Sequence, residues 1–250
     1  MILHGTFFSK YLGMDTNISL MIPQTYPDTG YSVVYLLHGL CGNNNTWLDY
    51  SMLADFARRS SCLFVMPDSA RSYYTEPYFS YITKELPQAC VSLFHVQADR
   101  AHTFVMGVSI GGYGALKCAL TFPKQYGYCY AFSSACLFLN EGLANARKDK
   151  NLFCKNYGES IYQDFRQNFQ LKDSEESDLL SVAQANKDTK SLITLYCGSK
   201  DPFLQDNRRF KDELQKLGYN PSYEEWEGSH DFIFFNEALR KAVAKAEMHE

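Results

Sequence analysis

No stretch of this 250-residue chain stays apolar long enough to span a bilayer, which argues against a membrane-spanning helix. The first residues, Met1-Ile2-Leu3-His4-Gly5, lack the basic n-region and long apolar h-region of a secretory leader, so the expected compartment is the cytoplasm unless a leader has been removed. None of the eight cysteines (Cys41, Cys62, Cys90, Cys118, Cys129, Cys136, Cys154, Cys197) forms a C-x-x-C pair, and several lie inside apolar runs. Reduced, buried thiols are expected, with neither disulfides nor a metal site. The net charge of −4 offers no electrostatic case for nucleic acid or an anionic membrane surface. Tryptophan is scarce, at 2, against 18 tyrosines and 18 phenylalanines. No internal repeat is present. What remains, 46% apolar and 21% charged residues, can fill one sizeable core, and the length suits a single domain over 1–250.

Apolar, β-rich runs punctuate the chain. Met1–Ser9 and Thr16–Ile22 alternate as strands of an antiparallel edge, and Pro23–Gly30 reads as a loop. Tyr31–Leu37 is a continuous apolar run suited to a central parallel strand. It ends in His38-Gly39-Leu40-Cys41-Gly42, a glycine-bearing loop at the carboxyl end of its strand, where an α/β sheet binds ligands. Ser51–Arg59 is expected to be helical, Cys62–Met66 a strand closing at Pro67-Asp68, and Tyr78–Phe94 a long amphipathic helix with Pro87 as a kink. In the polar loop Ser69–Pro77, Tyr73 and Tyr74 are candidates for a pocket mouth. Later strands are expected at Gly127–Ser133, Ser191–Cys197 and Ser222–Trp226, with helices at Phe203–Leu217 and Asn236–Glu247. Between them, 140–190 is rich in Asn, Lys, Asp, Glu and Gln and shows no clear period. It is expected as an insertion over one edge of the sheet: a lid, an oligomer contact or a decorated surface.

The densest signal is T-F-V-M-G-V-S-I-G-G-Y-G-A-L at Thr103–Leu116. An apolar strand runs into Gly107-Val108-Ser109-Ile110-Gly111 and then into a helix rich in small residues. This is the strand–turn–helix setting of a G-x-S-x-G nucleophile elbow, in which glycines two before and two after a strained serine clear its space. The helix amino terminus turns its free amides toward the serine oxygen. For an anion forming there, the candidate donors are the backbone amides of Ile110 and of Leu40 in the earlier loop.

Two further reactive groups follow core strands. Asp201 stands in the turn after Ser191–Cys197, and His230 follows Ser222–Trp226. Ser109, Asp201 and His230 therefore occupy one sheet edge in the order serine, acid, histidine, the order of α/β-hydrolases. Ser109 would be the nucleophile, His230 its base, and Asp201 the group that fixes the imidazole tautomer. Rivals exist. Asp68 also ends a strand but precedes the serine. Asp231 adjoins His230, so its side chain should point elsewhere. His38 reads as a loop-packing residue, and His102 precedes the serine strand at the opposite edge.

The blocks Leu36–Trp47 (L-L-H-G-L-C-G-N-N-N-T-W), Val65–Asp68, Gly107–Ala115, Cys197–Asp201 and Gly228–Asp231 together resemble the esterase D-like group of α/β-hydrolases, most closely its bacterial tributyrin-esterase branch. The likeness runs from about Met1 to the last helix. It implies an α/β-hydrolase fold: a mostly parallel sheet with an antiparallel amino-terminal edge and helices on both faces. It also implies a carboxylesterase for short acyl chains, with no cofactor and a small-molecule ester as partner. Members act on simple acyl esters, on acetylated or feruloylated carbohydrates, or on S-formylglutathione. The family pattern puts the nucleophile on Ser109, the acid on Asp201, the base on His230 and the oxyanion amides on Leu40 and Ile110, and sets Trp47 near the acyl or leaving-group side. Cys41 stands where a small or hydroxyl residue is frequent. Acyl transfer on the same fold, an S-formylglutathione-type thioesterase and a non-catalytic binding module are the competing readings, and a homo-oligomer is left open.

Overall fold

The computed structural model describes residues 1–24, 26–58 and 60–248. Among these, eight strands form one sheet: β1 (Ile2–Ser9), β2 (Met14–Met21), β3 (Ser32–Leu37), β4 (Cys62–Pro67), β5 (Thr103–Val108), β6 (Tyr128–Phe132), β7 (Leu192–Gly198) and β8 (Ser222–Trp226). The helices are α1 (Thr46–Tyr50), α2 (Leu53–Ala57), α3 (Tyr78–Ser80), α4 (Leu86–Phe94), α5 (Ile110–Thr121), α6 (Leu139–Lys148), α7 (Lys150–Tyr157), α8 (Glu159–Phe169), α9 (Leu179–Ala185), α10 (Leu204–Lys216) and α11 (Phe232–Glu247). None is long and apolar enough to cross a membrane.

The strand order is β1-β2-β4-β3-β5-β6-β7-β8. β1 pairs antiparallel with β2, and β2 with β4; every later pairing is parallel. This is the α/β-hydrolase arrangement, with the expected antiparallel edge. The parallel strands are covered on both faces, so β3, β4 and β5 are buried along their whole length. Alternate residues serve opposite faces. Val33, Tyr35 and Leu37 join a core with α4, α5, α9 and α10, while Val34 and Leu36 join a second core with α1, α2 and α11.

Some boundaries differ from the pattern in the residues. The helix expected at Ser51–Arg59 shortens to α2, with the unexpected α1 as a separate turn before it, and Arg59 lies outside the described residues. The closing helix begins at Phe232 because Asp231 caps it, Oδ1 accepting the amides of Ile233 and Phe234 at 3.0 and 3.1 Å. The segment 78–94 is helical throughout, but Tyr81–Glu85 winds as a π turn just before Pro87. Proline has no N–H for the Thr83 carbonyl four residues back; Gln125 Nε2 donates to that carbonyl instead, at 3.1 Å.

The stretch without a clear period, 140–190, holds the four helices α6 to α9. Their apolar residues are few and spaced by polar ones, yet Leu143, Phe153, Phe165, Phe169 and Val182 all enter the core on the α5 side of the sheet. α8 also meets the loop after β4: Arg71 forks onto the Asp164 carboxylate through Nε (3.1 Å) and Nη2 (2.5 Å), and Tyr73 Oη donates to the same group at 3.1 Å.

Candidate active site

The turn after β5 is built by what its glycines omit. A Cβ on Gly107 would lie 2.1 Å from the Gly111 carbonyl oxygen, and a Cβ on Gly111 would lie 2.5 Å from that of His38. With both absent, α5 turns back against the ends of β5 and β3. Ser109 between them takes φ 58°, ψ −120°, a strained setting for a residue with a side chain. Its backbone is held on all sides: its amide donates to Phe132, and its carbonyl accepts from Gly112, Tyr113 and Ala135. Ala135 belongs to a segment that Asn207 clamps, donating to the Ser134 carbonyl at 2.9 Å and accepting its amide at 3.2 Å. The Ser109 hydroxyl makes no capping bond to α5, so it is not consumed by the helix it precedes.

β7 and β8 end beside each other, Gly198 opposite Trp226. Their loops interlock through Ser199 N to Trp226 O at 2.8 Å and Lys200 N to Gly228 O at 2.9 Å. That juxtaposition brings His230 onto Asp201, with Nδ1 2.8 Å from Oδ2. Burial works to raise the Asp201 carboxyl, but the hydrogen bonds from His230 and from the Phe203 amide outweigh it and leave it below the ordinary carboxylate range. Phe203 and Phe235 meet the imidazole edge-on, with centroids at 5.1 and 5.2 Å. With Nδ1 engaged, Nε2 is the nitrogen left to face a hydroxyl. Among the described residues no hydrogen bond joins His230 to Ser109. The structure pairs the acid with the histidine and sets the serine in its strained turn at the same edge of the sheet.

The loop after β3 lies against the serine. A Cβ on Gly39 would stand 3.6 Å from Ser109 Cβ. The His38 ring is buried between two partners: Nδ1 is 2.7 Å from the Gly39 carbonyl, and Nε2 accepts the Ser69 amide at 3.0 Å. Those partners assign the proton to Nδ1. Burial lowers the pKa of His38, which favours this neutral form. The Gly39 carbonyl and the Leu40 amide belong to one planar peptide, so holding the oxygen sets the direction of the N–H. Among the described residues, the amides of Leu40 and Ile110 are without hydrogen-bond partners.

The rivals are engaged elsewhere. Asp68 accepts the Ala70 amide, Asp231 caps α11, and His102 pairs with Asp99 where β5 begins. Two expectations are corrected. Trp47 is fully buried, donating to the Leu37 carbonyl at 3.1 Å and packing on Phe132 and Phe232, so it offers no surface to a substrate. Tyr74 is 1% exposed and lies beneath the loop after β3, its hydroxyl donating to the His38 carbonyl, rather than at a pocket mouth. Residue reading missed Phe203 and Asn207. The Asp-Pro-Phe turn is a local signal for the first; the second, an asparagine on an otherwise apolar helix face, shows its purpose only when folded.

This site, at the carboxyl edge of an α/β-hydrolase sheet, defines a serine-hydrolase class of molecule. Residues 9–246 match the family model described as "Putative esterase", and the chain belongs to that esterase family: it is a carboxylic ester hydrolase. Among curated proteins, the chain is 29% identical to an acetyl esterase of Caldicellulosiruptor saccharolyticus over 96% of each chain. Among solved structures it resembles FphF, a fluorophosphonate-binding serine hydrolase of Staphylococcus aureus, with a TM-score of 0.85 and 22% identity over 98% of each chain. An S-formylglutathione hydrolase (FrmB) of the same organism superposes with a TM-score of 0.81 and 21% identity over 98% of each chain.

Proposed function

We propose that this esterase cleaves short-chain acyl esters, acetylated carbohydrates among them, through an acyl-enzyme on Ser109. As Ser109 Oγ attacks the ester carbonyl, His230 Nε2 takes its proton. The oxyanion that forms is met by the amides of Leu40 and Ile110, donors that need no reorganisation at the moment of reaction. The intermediate collapses, the C–O bond to the alcohol breaks, and His230 returns the proton to the departing oxygen. Water, deprotonated by the same imidazole, then releases the acid and frees Ser109. Asp201 holds Nδ1–H throughout and stabilises the transient imidazolium. A small-molecule ester is the partner this requires, and the likeness to the acetyl esterase supports a short acyl group.

The observation that carries this reading is the buried Asp201 carboxylate on Nδ1 of His230 at 2.8 Å. It supports the reading by leaving the other ring nitrogen available for proton transfer at the edge where Ser109 stands. The test is hydrolysis of p-nitrophenyl acetate and butyrate by wild type and by Ser109→Ala. The variant is expected to lose essentially all turnover while keeping its fold; turnover at the wild-type rate would reject the assignment.

A further inference from the structure

Tyr74 does no chemistry in this scheme, yet the chain goes to some length to hold it. It follows Tyr73, and both take left-handed backbone angles, φ 51° and 53°. Two successive side-chain-bearing residues in that region persist only where their surroundings over-determine them. The surroundings here are specific. The Tyr74 ring fills the space that Gly114 of α5 leaves, where a Cβ would come within 2.5 Å of it. Its carbonyl accepts Lys117 Nζ at 3.0 Å. Its hydroxyl donates to the His38 carbonyl at 2.9 Å.

That last bond connects to the oxyanion loop. The His38 carbonyl opens the His38–Gly39 peptide, and the next peptide carries the Leu40 amide. The His38 ring already holds the Gly39 carbonyl. With Tyr74 on the first peptide and His38 on the second, both planes leading to Leu40 are fixed. Lys117 anchors Tyr74 from behind: buried on α5, it also bonds Ser177 Oγ at 3.3 Å, and its ammonium sits 4.6 Å from the centre of the Phe79 ring. A planar unit bonded at both ends leaves the intervening N–H little freedom, which an oxyanion donor requires.

We propose that Tyr74 is a positioning residue for the oxyanion loop: anchored by Lys117 of the helix that begins at Ser109, its hydroxyl fixes the His38 carbonyl and thereby the direction of the Leu40 amide. The inference rests on the acyl-enzyme reading and adds to it a link between the serine helix and the oxyanion donor that lies outside the reacting groups.

Tyr74→Phe removes only the hydroxyl and leaves the ring against Gly114. With p-nitrophenyl acetate, the variant should lose about tenfold in kcat with KM within about twofold, less than deletion of an oxyanion donor costs. Labelling of Ser109 by a fluorophosphonate, which also develops charge on that oxygen, should slow in proportion. Lys117→Met should act in the same direction, and the double variant should be no slower than the slower single one, because both act through one element. A role confined to stability would lower the melting temperature and leave the kcat against KM split and the labelling rate unchanged. Wild-type kcat and labelling in Tyr74→Phe, or a change in KM alone, would overturn the positioning role while the acyl-enzyme reading stood. Absence of Ser109-dependent turnover in the wild type would overturn both.

Discussion

Lys117 gives the most direct physical test of how the α5 side of the molecule is built. An ammonium buried on a helix loses its hydration, and burial drives its pKa down from 10.5 to about 8, against the smaller pull of Glu76 and Glu176. In the unfolded chain the same amine returns to the ordinary value. Below about pH 8 both states hold the proton, and the folded state bears the whole desolvation cost. Between about pH 8 and 10.5 the unfolded chain binds more protons than the folded one, so stability rises with pH through that window. A shift of about 2.5 units at 1.36 kcal/mol each amounts to about 3 kcal/mol in full, of which about 2.5 kcal/mol falls between pH 7 and pH 10. The measurement is urea unfolding of wild type and Lys117→Met, followed by circular dichroism at both pH values. Tyrosines and cysteines that titrate in the same range are common to both proteins and cancel in the difference, Cys118 apart, whose thiol feels the ammonium but is pushed up to about 12 by burial and so stays protonated in the folded state across this window. At an m-value near about 3 kcal/mol/M, the wild-type midpoint should move up by roughly 0.8 M relative to the variant. A midpoint difference independent of pH would show that the ammonium is hydrated, and the description of its surroundings would be wrong.

Two further outcomes follow from the site. Gly107→Ala places a methyl group 2.1 Å from a backbone oxygen that has no room to retreat, so it should destabilise by about 3 kcal/mol or more and displace Ser109; a variant with wild-type melting temperature and turnover would contradict the packing of the elbow. Asp201→Asn keeps the shape but presents an amide to Nδ1 of His230, so kcat should fall by roughly four orders of magnitude with little change in KM, read from steady-state ester hydrolysis; a loss under about tenfold would remove Asp201 from the scheme.

What could be read from the residues alone was local. Continuous apolar runs of strand length identified β3, β4, β5 and β7 because burial on both faces of a parallel sheet demands unbroken hydrophobicity. Gly107 marked the elbow because a methyl there collides with the Gly111 backbone four residues on, a local constraint; the methyl excluded at Gly111 would meet the distant Leu37 and His38 carbonyls, which only the fold brings there. The order of Ser109, Asp201 and His230 after three strands was likewise visible along the chain. Tertiary structure decided what depends on contacts between distant segments. Asp201 meets His230 because the β7 and β8 loops interlock, whereas Asp231, adjacent to that histidine in the chain, is drawn off to cap α11. The polar stretch around α6 to α9 hid its helices because each buries only a narrow apolar stripe, recognisable once the surface it packs against exists. Tyr74 looked like a pocket-mouth residue for its loop setting, and the family resemblance set Trp47 near the substrate; folding sealed both inside. A chain announces where its backbone must bend or be buried; which side chain reaches which partner is settled by register, loop crossing and the competition of buried polar groups for hydrogen bonds.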